Sequence, residues 1–127
     1  MLKGKFFWLP PVVWGLIIIV LSLLPGGTAG LKLFGIPHAD KIGHFGMYAI
    51  WSFLIYQAFF RPNKLSPTQA FWLTIILSTL IGIALEYGQD TVTIGRSYEF
   101  ADMLANTLGA ISGSLFGYWV FKKVPKN

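Results

Sequence analysis

Four stretches free of charged side chains divide the chain: Phe6 to Leu24, Ile42 to Phe60, Leu65 to Leu85 and Met103 to Phe121. A helix rises 1.5 Å per residue, so about 20 predominantly apolar residues cross roughly 30 Å of hydrocarbon. The pattern predicts an all-α integral membrane protein. Its four transmembrane helices, at about 6–24, 42–60, 66–86 and 102–121, form a compact bundle and a single domain over residues 1–127. The first stretch follows Lys3 and Lys5 as a signal peptide would, but its apolar run exceeds the about 7 to 15 residues of such a segment, so it reads as a retained span.

Local signals support the elements. Pro10-Pro11 delays or kinks the first helix, and Pro25-Gly26-Gly27 ends it. Ser66-Pro67-Thr68-Gln69 has the form of a capping box, with proline at the first helical position, and so starts the third helix. The short turn before it makes helices two and three an antiparallel hairpin. In the fourth helix Ala101, Ala105, Gly109, Gly113 and Gly117 recur every four residues. Such a stripe lets backbones approach closely in lipid. It suits a central helix packed within its own bundle, or alternatively a homodimer seam along Gly109, Gly113 and Gly117.

Composition agrees with lipid as solvent: 54% of the residues are hydrophobic and 12% charged, against about 25% charged in soluble domains. With no cysteine, thiol catalysis, disulfides and thiolate metal sites are excluded. Orientation follows from the basic residues. With a cytoplasmic N-terminus, the inner side holds Lys3, Lys5, Arg61, Lys64, Lys122, Lys123 and Lys126, and the outer side Lys32, Lys41 and Arg96. Both termini are expected to be cytoplasmic, in a multi-pass inner-membrane protein. The net charge of +5 then reflects topology and anionic lipid rather than nucleic acid.

The acids are the exception that carries chemistry. All five fall beside the outer helix ends, and intramembrane ionisable groups mark functional sites by default. Asp40, His44 and Tyr48 are spaced by four and share one helix face, with Lys41 beside them. Glu86 and Asp90 repeat that spacing, with Ser78 and Gly82 continuing inward and Gln89 adjacent. Arg96, Glu99, Asp102 and Asn106 follow at steps of three and four. Three helices thus deliver polar groups to one extracytoplasmic end, where Lys41 and Arg96 supply the counter-charges.

That constellation supports three readings. In the first, Lys41, Tyr48, Gln89, Asp90, Arg96, Glu99 and Asn106 bind an anionic or amphiphilic molecule. In the second, His44 is a catalytic acid or base oriented by Asp40, with Glu86 or Asp102 as partner carboxylate. A metal-assisted version of it takes His44, Glu86 and Asp102 as ligands. In the third the groups lock the fold of a structural or assembly partner for another membrane protein. The sequence has no His-Glu-x-x-His, Gly-x-Ser-x-Gly or Walker motif, and it names no cofactor.

Taken with Ser22 in the first helix, the string Asp40-Lys41-x-x-His44-Phe45-x-x-Tyr48, Glu86-x-x-Gln89 and Arg96-x-x-Glu99-x-x-Asp102-x-x-x-Asn106-x-x-Gly109-Ala110 resembles the VanZ-like family over nearly the whole chain. The family takes its name from a teicoplanin-resistance protein. The resemblance implies a small polytopic bacterial membrane protein tied to glycopeptide resistance or envelope physiology. Its expected partners are membrane lipids, a lipid-linked cell-wall precursor or a glycopeptide antibiotic.

Overall fold

The computed structural model describes residues 5–23, 39–61, 65–92 and 100–122, and among them it contains four helices and no strand. These are α1 (Leu9–Leu23), α2 (Ala39–Phe60), α3 (Pro67–Val92) and α4 (Phe100–Phe121). α1 begins later than the apolar run. The backbone first makes a turn in which Trp8 N donates to Lys5 O, and the helix proper opens with Pro10 and Pro11, whose missing N–H groups cost least in a first turn. The other helices overrun their charge-free windows. α2 starts before Asp40, and α3 continues past Glu86, where the span was expected to end, to Val92. The window records where apolar side chains stop, whereas helix ends are set by backbone hydrogen bonding.

The capping box forms as expected. Gln69 N donates to Ser66 Oγ at 3.1 Å, and Ser66 N donates to Gln69 Oε1 at 3.0 Å. α2 and α3 then run antiparallel, with Ser52 Oγ donating to Ser78 Oγ at 3.1 Å. α1 is antiparallel to α2 as well, because Trp14 Nε1 reaches Met47 O while Trp51 Nε1 reaches Pro11 O. α4 packs chiefly on α2 and also on α3.

The small-residue stripe explains the α2–α4 pairing. A Cβ on Gly109 would strike the carbonyl oxygen of Phe45, and one on Gly113 that of Ala49. At Gly117 the added atom would lie 2.7 Å from the Tyr56 ring. The numbers rise together along both helices, so the pair is parallel, and its backbones touch where no side chain intervenes. This seam is filled by α2 of the same chain.

Polarity is inverted relative to a water-soluble bundle. Leu9, Leu16 and Val20 of α1, Trp72 and Leu80 of α3, and Leu108 and Trp119 of α4 point outward, whereas His44, Ser52, Thr74, Ser78, Glu86, Asp102, Asn106 and Ser114 are buried. At one end Tyr56, Phe60 and Phe121 stack, with the Arg61 guanidinium over Phe121 and Phe7. Ile18, Tyr48, Trp51 and Ile55 fill the middle. The ionisable groups occupy the other end.

Among the described residues, only Pro67–Gly88 in α3 is both long and apolar enough to count as a span by length and composition. α1 has 15 residues. α2 and α4 have 22 each, about 33 Å, but their interior faces carry the histidine, tyrosine, serine, aspartate and asparagine that lower hydropathy. The helix count matches the sequence expectation, and the four clear spans reduce to one: α1 is short, and the polar residues of the interior faces lower the hydropathy of α2 and α4.

Candidate functional site

The cluster is assembled from helical spacing. On α2, one face presents Lys41, His44 and Tyr48 at steps of three and four; on α3, Gly82 and Glu86; on α4, Asp102 and Asn106. Antiparallel α3 and parallel α4 bring these turns level with one another. Gly82 gives the Tyr48 ring its room, since a Cβ there would lie 3.2 Å from Tyr48 Cε1.

His44 is at the centre and 2% exposed. Its Nδ1 lies 2.9 Å from Asn106 Oδ1. An amide oxygen accepts, so Nδ1 carries the proton and donates, and in the neutral ring Nε2 keeps its lone pair. Nε2 has no hydrogen-bond partner and faces Asp102 Oδ2 at 3.9 Å, beyond hydrogen-bonding range. Lys41 Nζ pairs with Asp102 Oδ1 at 3.0 Å. Glu86 is as buried as His44. One ligand atom from each of His44, Glu86 and Asp102 lies within 4.8 Å of the others. Helix α4 contributes a further device, since Asp102 stands in its first turn, where the helix dipole favours a negative charge.

The structure therefore brings together Lys41, His44, Tyr48, Glu86, Asp102 and Asn106 of the residues picked from sequence. His44 Nδ1 takes its partner from α4, in Asn106. Asp40 sits on the first turn of α2, and Gln89 and Asp90 on the last turns of α3; their side chains lie outside the description. Arg96 and Glu99 lie outside the described residues altogether.

Sequence reasoning missed a neighbouring groove. Trp8, Pro11, Gly15, Leu16 and Ile19 of the α1 region, Trp51 and Ile55 of α2, and Leu77 and Ile81 of α3 line a laterally open, almost wholly apolar space of about 300 Å³. It adjoins the cluster through Trp51, whose ring packs edge-on against Tyr48 with centroids 5.6 Å apart. Gly15 was the available signal. A Cβ there would meet the Trp51 indole at 3.2 Å, so the missing side chain is what seats the indole between α1 and α2.

A family model described as VanZ/LLP1 matches residues 7–122, the stretch that contains all four helices and every residue of the cluster. No curated protein and no solved structure shows significant similarity to the chain.

Proposed function

The chain belongs to the VanZ/LLP1 family, and from that premise we propose that it is a multi-pass bacterial inner-membrane protein that binds an envelope amphiphile at its extracytoplasmic end. The ligand class is a membrane lipid, a lipid-linked cell-wall precursor or an amphiphilic glycopeptide antibiotic. The observation that carries this reading is the convergence of Lys41, His44, Glu86, Asp102 and Asn106 from three helices at one end of the bundle. Outward apolar and inward polar side chains support lipid as the surrounding solvent. The positive-inside count supports an outer position for the cluster.

An amphiphile needs two environments, and both are at hand. Lys41 is a quarter exposed and within reach of an incoming anionic headgroup, while its pairing with Asp102 fixes its position. The neighbouring groove is apolar, open to the side and of a size that takes part of an acyl or prenyl chain. Arg96 provides the second headgroup cation in this reading.

The test is binding of a polyprenyl phosphate to the full chain in detergent, followed by native mass spectrometry. Lys41→Met and Arg96→Gln should each weaken binding by about tenfold, the effect of about 1.4 kcal/mol, in purified protein whose helical content stays at wild-type level. Unchanged binding in both variants would overturn the reading.

The bare Nε2 of His44 favours a second reading, an enzyme acting on the same lipid-linked substrate as a hydrolase or transferase. His44 would act as general base, with Glu86 or Asp102 as partner carboxylate. Release of phosphate or glycan from such a substrate by wild type but not by His44→Gln distinguishes it from binding alone.

A further inference from the structure

We propose that His44, Glu86 and Asp102 form a binding site for one divalent first-row transition-metal cation. Each residue comes from a different helix, each is at most 5% exposed, and one ligand atom from each lies within 4.8 Å of the other two. Imidazole with two carboxylates is a donor set for zinc, manganese or ferrous iron.

The independent observation is the state of the His44 ring. Nδ1 donates to Asn106 Oδ1, so in the neutral ring the buried Nε2 presents a lone pair, and it faces a carboxylate oxygen of Asp102 at 3.9 Å. Two lone pairs facing each other in a buried site are unfavourable unless a positive centre lies between them. A shared proton requires about 2.7 to 3.2 Å between nitrogen and oxygen. A metal with bonds of about 2.1 Å places its donors about 3.4 Å apart at tetrahedral positions and about 4.2 Å apart at opposite ones. The observed separation leaves room for a metal between the two donors and is too long for a direct hydrogen bond. The three donors lie within 4.8 Å of one another, so reaching tetrahedral spacing takes a closure of at most about 1.4 Å.

The surroundings are those of a ligated histidine and carboxylate. Asn106 holds the nitrogen opposite the metal-facing one, and Lys41 binds Asp102 Oδ1, leaving Oδ2 turned toward Nε2. Three protein donors leave a fourth position for water or an oxygen of a bound headgroup.

The experiment is calorimetric titration of the chelator-treated full chain in detergent with zinc chloride and, separately, with manganese chloride, in the absence of envelope lipid. One ion per chain is expected with at least one of the two metals; no binding of either overturns the site. His44→Ala should weaken the affinity by about 100-fold and Asn106→Ala by about 10- to 100-fold, whereas His38→Ala, the only other histidine, should leave it unchanged. Wild-type affinity in His44→Ala, or its loss in His38→Ala, overturns the assignment. The wild-type protein loaded with cobalt gives a readout that needs no variant. Visible absorption of a low-symmetry nitrogen–oxygen site is expected, and the spectrum of the aquo ion overturns the proposal. Because no lipid is present, failure here leaves the headgroup reading to its own test, and the converse holds as well.

Discussion

His44 shows how much depends on which neighbour a single ring nitrogen meets. The sequence places it four residues from both Asp40 and Tyr48 on one helical face, so a partner on its own helix was the natural expectation. The ring instead turns to α4, where Asn106 takes Nδ1 and Asp102 lies opposite Nε2. Lys41 and Asp102 form the other cross-helix pair, with side chains 25% and 7% exposed. Removing one partner of a largely buried pair strands a charge, while removing both does not. Lys41→Met should therefore destabilise the protein, and adding Asp102→Asn should recover part of the loss. A double-mutant cycle by denaturant unfolding in mixed micelles is expected to give a favourable coupling of about 0.5 to 3 kcal/mol. Additive effects would show that the ion pair contributes nothing to the fold.

At the scale of elements, the α2–α4 seam is the tightest contact and the most legible one. The four-residue spacing of Gly109, Gly113 and Gly117 announced close packing, and the partner proved to be α2. Gly113→Ala would push a methyl group into the Ala49 carbonyl, and overpacking of this kind costs about 1 to 3 kcal/mol. Gly46 lies on α2 with nothing within 4 Å of an added Cβ, so Gly46→Ala should stabilise by about 0.5 to 1 kcal/mol through helix propensity. Unfolding of the two variants side by side checks both signs; equal effects would mean that the seam is not tight. Ser66 was equally legible, because its capping box uses only residues three apart. Helix ends elsewhere were less so, since α2 and α3 continue through the charged positions Asp40 and Asp90.

At the scale of the whole molecule, the distribution of polar groups along the bundle axis is the defining property. An aromatic stack beneath Arg61 closes one end, and the buried ionisable cluster occupies the other. The proposed topology assigns the first end to the cytoplasm and the second to the outer side. A chain without cysteine allows this to be checked directly. In intact cells or spheroplasts, a membrane-impermeant maleimide should label Lys32→Cys and spare Lys64→Cys until the membrane is permeabilised. The reverse pattern would invert the orientation and move the cluster to the cytoplasmic side.

The sequence by itself determined the helical class, the family, the capping of α3, the close packing of α4 and the identity of the ionisable residues. The family rests on a string of residues over nearly the whole chain; the rest follow from composition or from spacing within one helix, which a helix expresses in its own backbone. Tertiary structure alone decided that Asn106 meets His44 Nδ1, that Lys41 pairs with Asp102, that α2 fills the glycine seam, and that an apolar groove lies beside Trp51. Each of those depends on the register between helices separated by dozens of residues. That register is set by the fit of whole faces, where a missing Cβ at Gly82 or Gly113 counts as much as any charge.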